Sequence, residues 1–206
     1  MKPRTRTTLL TLMALFLASI LPGRLLAGYE SPEYTVVLRE GPFEIRDYPE
    51  MTLVSTAMTR RGEDGAFMKL FRFIRGRNER SEAIAMTTPV MMSGAATGTM
   101  SFILPREVAA KGAPVPLNPD VTLTVHPAAR YAVCRFRGST SLSRGQEAAA
   151  KLRLWAEGRK LAVSGEPLFA YYNPPWTPGF LRRNEVMILL DCSDSHDTSR
   201  AETPCK

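Results

Sequence analysis

Only two stretches of this sequence carry a helical stripe, and short apolar or alternating runs surround both. In the first, Phe67, Leu70, Phe71 and Ile74 fall at i, i+3, i+4 and i+7, which predicts a helix starting near Asp64 and stopped by Gly76. In the second, Ala148, Leu152, Trp155 and Ala156 predict a helix over Arg144–Glu157, with Ser143 as N-cap and Gly158 as the stop. The two stopping glycines stand about 80 residues apart, a period too long for a solenoid. Each helix also follows a strand introduced by a proline corner, Tyr48-Pro49 before the first and His126-Pro127 before the second. The pattern is that of two halves of one domain. Neither half could bury a sheet face alone, so a single mixed-sheet or barrel-like body with both helices against it is expected.

The strand signals fill in that frame. Tyr34–Glu40 and Phe43–Tyr48 flank a Gly41-Pro42 turn, and Met51–Thr59 leads into the first helix. Further strands are predicted at Ile84–Met92, Thr99–Leu104, Val121–His126 and Tyr131–Arg137, with Pro167–Tyr172 and Glu185–Leu190 closing the domain. Gly112–Pro119 connects the halves, and Asn173–Gly179 is a long Pro-rich loop.

The formal charge of +7 over 206 residues suggests nucleic acid until its distribution is considered. Four of the 27 basic residues, Lys2, Arg4, Arg6 and Arg24, lie in residues 1–27, which leaves 23 against 20 acidic residues in the remainder. The basic start, the apolar run Leu9–Leu21 and Ala27 before Gly28 are the parts of a secretory signal peptide. The run is short of the roughly 20 residues that span a bilayer, so cleavage and a periplasmic or secreted protein are expected, with an uncleaved N-terminal anchor as the alternative. Residues 28–192 then form the domain and 193–206 a polar tail. Export permits disulfides. Cys134 lies in an apolar alternating run and reads as a buried thiol, whereas Cys192 and Cys205 could close the tail as a small loop.

Enzyme signatures are missing. There is no Gly-x-Ser-x-Gly elbow, His-Glu-x-x-His pair, Gly-x-Gly-x-x-Gly loop or Walker loop, and no Cys-x-x-Cys pair to hold zinc. The two histidines, His126 at a strand end and His196 in the tail, read as structural and solvated. Methionine is the unusual feature, with Met86, Met91, Met92 and Met100 close together and Met58 and Met68 nearby. With so little histidine for a copper site, these read as core or as an adaptable apolar wall.

Two separate motifs give the chain a resemblance. Gly76, Asn78, Ile84 and Met86-Thr87-Thr88-Pro89-Val90 look like the segment after the first helix in the SOUL haem-binding family. Tyr172-Asn173-Pro174-Pro175, followed by Arg182-Arg183-Asn184-Glu185-Val186, resembles that family's C-terminal signature. Glu33-Tyr34, Glu44-Ile45-Arg46-Tyr48 and Phe136-Arg137-Gly138 are similar too, so the resemblance spans about residues 30–190. It implies an α+β fold, a distorted antiparallel or mixed β-barrel of two pseudo-repeats, each with one helix packed outside. It also implies non-covalent binding of haem or another tetrapyrrole in an apolar groove beside the first helix, with no axial histidine carried over. A basic residue on the family's first helix, thought to face a porphyrin carboxylate, matches Arg72. A second basic residue, in the Pro-Pro loop, is replaced here by Thr177.

Met68, Phe71 and Arg72 on the first helix, with Met91 or Trp176 across the groove, are therefore the candidate ligand contacts, and no metal ligand is among them. The expected role is a monomeric carrier, buffer or scavenger, neither spanning a membrane after cleavage nor binding nucleic acid. Two alternatives stay open: a haem-modifying, iron-removing enzyme, whose proton donor would be Arg72, Tyr171 or Tyr172, and a module for another apolar effector or partner.

Overall fold

The nine apolar runs pair into one sheet. The computed structural model describes residues 29–59, 65–94 and 97–191. The expected signal peptide at 1–27, the helix start at Asp64, His196 and the Cys192–Cys205 bridge lie outside the described residues. The strands are β1 (Thr35–Glu40), β2 (Phe43–Tyr48), β3 (Met51–Met58), β4 (Val90–Ser93), β5 (Gly98–Ile103), β6 (Val121–His126), β7 (Ala129–Phe136), β8 (Val163–Tyr171) and β9 (Asn184–Leu190). The helices are α1 (Ala66–Ile74), α2 (Arg106–Ala110) and α3 (Leu142–Gly158). The architecture is α+β, and each ladder between named strands is antiparallel.

The sheet order is β1-β2-β7-β9-β8-β4-β5-β3-β6. Leaving β1 aside, it is palindromic about the β8–β4 seam. The unit β3-α1-β4-β5 is mirrored by β7-α3-β8-β9, and each carries on its flank the strand that precedes the other, β6 beside β3 and β2 beside β7. The internal duplication read from the two proline corners is thus visible in the topology. Tyr48 pairs with Ala129 and Met51 with His126, so the two corners sit at matching places in the ladders.

The same connections bend the sheet. From β2 to β3 the ladder order counts six strand spacings of about 4.8 Å, about 29 Å if the sheet were flat. Three residue steps, Tyr48 to Met51, span at most about 11 Å. The sheet must therefore curl until β2 and β3 are neighbours. It still does not close into a barrel, because no ladder joins β2 to β3 or β1 to β6 among the described residues.

Helices α1 and α3 pack on the same face. Val90 pairs with both Phe102 and Tyr171; Phe102 belongs to the cluster under α1 and Tyr171 to the cluster under α3. The opposite, helix-free face carries its own cluster, which includes Tyr48, Met51, Leu53, Met91, Tyr131 and Met187.

Three sequence expectations need correction. The buried stripe of α1 is Ala66, Leu70, Phe73 and Ile74; Phe67 is 40% exposed and Phe71 only half-buried. The stripe is rotated toward Phe73 because Phe67 lies at the edge of the contact, its ring meeting Phe102 edge-on at 5.3 Å and stacking on Phe71 at 5.9 Å. Helix α3 starts two residues earlier than expected, with Ser141 rather than Ser143 at the N-cap. The expected strand Ile84–Met92 shrinks to Val90–Ser93, because residues 75–89 are organised by one buried amide instead of a ladder. Asn78 Nδ2 donates to the carbonyls of Phe73 (3.1 Å) and Glu82 (2.7 Å), and its Oδ1 accepts from the N–H groups of Arg80 and Glu82. One side chain thus satisfies four backbone groups that would otherwise need strand partners. Gly76 makes the turn possible at φ 100°, a left-handed value costly for other residues.

Candidate functional site

Helix α1 turns one apolar flank away from the core. Met68 is 47% exposed beside Phe67, although both are large hydrophobic residues. One turn after Met68, Arg72 is exposed, and its guanidinium makes no hydrogen bond or ion pair with the described residues. Lys69, by contrast, is held by Asp120 at 2.9 Å, toward the start of β6. The flank thus offers an apolar surface with an uncommitted cation at its border.

Between the helices the sheet supplies more apolar surface. Val90 packs on the α1 cluster, and the half-buried Met92 packs on the clusters of both helices. Periodicity alone does not assign either residue to the site, because strand alternation gives the partition of side chains but not which face meets the helices. Two strand spacings, about 10 Å, separate Phe102 under α1 from Tyr171 at the end of β8. The Pro-rich loop leaves β8 just beyond. Trp176 in that loop is 83% exposed, and the loop backbone is tied down by Arg182, which donates to the carbonyls of Thr177 (2.7 Å) and Pro175.

The five predicted contacts therefore divide. Met68, Phe71 and Arg72 share one helix, and Trp176 stands on the loop at the end of β8. The structure does not bring Met91 to them. Its side chain belongs to the helix-free cluster, on the other side of the sheet from α1. His126 likewise stands on the helix-free side, where it lines a cavity. No group of three or more His, Cys, Asp or Glu among the described residues could hold a metal ion.

The densest electrostatics lie elsewhere, on the helix-free side near β2 and β9. Arg46 and Glu185, neither exposed, form a two-pronged pair with N···O distances of 2.8 and 3.0 Å. Arg46 also donates to Glu44 (2.6 Å) and Tyr48 (3.0 Å) and stacks over the Tyr34 ring at 4.2 Å. Glu185 accepts in addition from Arg135, Arg183 and the Tyr172 hydroxyl. Burial opposes the ionisation of Glu185, but the hydrogen bonds and positive field of Arg46 and Arg183 outweigh it and hold its carboxyl down at about 2. Burial, with the Glu185 charge adding to it, pushes the Tyr172 phenol far above its ordinary range, so this hydroxyl keeps its proton. Apart from Arg135, these are residues of the sequence motifs.

The α+β domain thus carries an exposed apolar helix flank with a cation at its border. The chain is a member of the SOUL heme-binding protein family, whose pattern matches residues 29–189. At the family level this means haem or a related tetrapyrrole as ligand. No curated protein matches the chain in sequence. Among solved structures it is similar to the C-terminal domain of EcmrR, at 12% identity and a TM-score of 0.54, covering 77% of this chain and 98% of that one. It is also similar to a hydrolase from Listeria innocua, at 13% identity and a TM-score of 0.52, covering 81% of this chain and 94% of that one. At such identities the likeness is one of fold alone. No helix among the described residues is long and apolar enough to cross a membrane.

Proposed function

We propose that this protein holds haem, or a related tetrapyrrole, against the outward flank of α1, without a histidine ligand, as an exported carrier, buffer or scavenger. The observation that carries the reading is the exposed pair Phe67 and Met68 with Arg72 free beside them. A porphyrin is an apolar plate with carboxylates on one edge. Covering apolar surface contributes about 25 cal/mol per Å², and an arginine can take a carboxylate through two parallel N–H bonds. The Val90–Met92 strip and the Trp176 loop would extend the plate's contact beyond the helix. The residues present fit the group without a metal ligand, since His126 stands on the other side of the sheet. Export rests on the basic, apolar and small-residue succession of residues 1–27. The iron-removing alternative is weakened by Tyr172, whose proton is committed to a buried carboxylate.

Haemin titration followed at the Soret band tests the reading. Arg72→Glu is expected to weaken binding by about 1.5–3 kcal/mol, the range for a charge-assisted hydrogen bond. Arg75→Glu changes the charge equally from the C-cap of the same helix and is expected to cost clearly less, with added salt shrinking only the nonspecific part. Equal losses from both would reduce Arg72 to general electrostatics. No loss from either would remove α1 from the site.

A further inference from the structure

The helix-free face of the curled sheet holds a cavity that the tetrapyrrole reading does not use. Its volume is about 310 Å³, at the small end of the ~300–1,000 Å³ typical of ligand sites and too small to enclose a porphyrin plate. Two chemistries meet in it. Met51, Met91 and Met187 contribute soft apolar wall, while Ser55, Ser101 and Thr124 contribute hydroxyls. Among the described residues no Asp, Glu, Lys or Arg lines it, and His126 and Tyr131 add an imidazole and a phenol. The buried charges Glu185 and Arg46 are paired with each other.

The floor carries an oriented donor. Ser55 and Ser101 are buried and their hydroxyls lie 2.7 Å apart. Each hydroxyl has a single proton, so one donates to the other and the acceptor's own proton remains available to the cavity. An apolar wall with several hydroxyl donors and no Asp, Glu, Lys or Arg disfavours ions, whose desolvation no fixed charge here would offset. The cavity is bordered by Thr122 and Thr124, which are exposed on the edge strand β6.

We infer that this cavity is a second small-molecule site, separate from the α1 flank, for an uncharged, mainly apolar molecule carrying an oxygen acceptor, such as a ketone, ester or alcohol. The neutral ketone fluorophore prodan is the probe. Saturable one-to-one binding with emission moving to shorter wavelength is expected. Thr124→Trp, which fills the border from an exposed edge position and leaves the fold intact, should weaken prodan at least tenfold. Ser101→Leu, which fills the floor, should do the same. One equivalent of haemin should leave bound prodan in place, and Thr124→Trp should leave haemin affinity unchanged. Absence of saturable prodan binding, indifference to both substitutions, or displacement of prodan by one equivalent of haemin each overturns the assignment. The prodan result stands whether or not haemin binds at α1, so the two readings fail separately.

Discussion

Replacing Glu185 by alanine is expected to lower the unfolding free energy by about 3–5 kcal/mol, the usual cost of removing one partner of a buried ion pair. The guanidinium of Arg46, fully buried, would lose both of its 2.8–3.0 Å contacts to that carboxylate and keep only Glu44, Tyr48 and the Tyr34 ring. Urea denaturation at neutral pH reads the loss directly; a change under about 1 kcal/mol would mean that water reaches Arg46 and solvates it. Replacing both partners, Arg46→Met with Glu185→Leu, should recover part of the loss, because no uncompensated charge is left behind. Acid makes the same point without mutation. The folded carboxyl of Glu185 is held below its ordinary 4.5, at about 2. Its contribution is therefore complete above about pH 4.5 and is lost as the pH falls from there toward 2. With one pKa unit worth about 1.4 kcal/mol, the loss is on the order of 3 kcal/mol. Glu185→Gln should flatten the stability profile in that window.

Phe102→Ala is expected to cost about 3–5 kcal/mol as well, for a different reason. Phe102 is 1% exposed at the centre of the cluster under α1, and its removal leaves a cavity as well as lost transfer energy. It also takes away the ring that Phe67 meets edge-on at 5.3 Å, so haemin affinity should fall with stability. Phe67→Ser separates the two effects. At 40% exposure it should cost under about 1 kcal/mol in stability while weakening haemin measurably. If Phe67→Ser leaves haemin binding intact, the flank of α1 is not the contact surface.

The strands and both main helices were legible because their periods are local properties of the chain. Tyr34–Glu40, Phe43–Tyr48 and Val121–His126 alternate or run apolar as strands do, and the structure keeps their bounds to within a residue. The loop at 75–89 was not legible: its apolar residues Ile84 and Met86 look like strand, and nothing in the periodicity says that Asn78 will satisfy the neighbouring backbone. Phe67 misled the α1 stripe because i, i+4 spacing identifies a face, whereas the depth of burial depends on which strand lies beneath. The motif residues show a second limit of reading along the chain. Arg46, Tyr48, Tyr172 and Glu185 supported the family resemblance, yet 139 positions separate Arg46 from Glu185, and their role as a buried ion pair appears only when β2 and β9 face the same interior. Such residues identify a family by its fold.

The interlocked flanking strands have a consequence for how such a chain could be made. β2 finds its partner β7 only after about 85 more residues have followed it, and β6 must travel back to border β3. Contacts this distant in sequence are slow to form, because loop-closure entropy is lost before any pairing offsets it. A chain threaded through a secretion channel N-terminus first would thus carry a half-domain with open sheet edges and no stable fold, and so stay threadable until its last strand emerged. Split in the Gly112–Pro119 connector, the halves should each remain unfolded alone and regain far-ultraviolet β signal only when mixed.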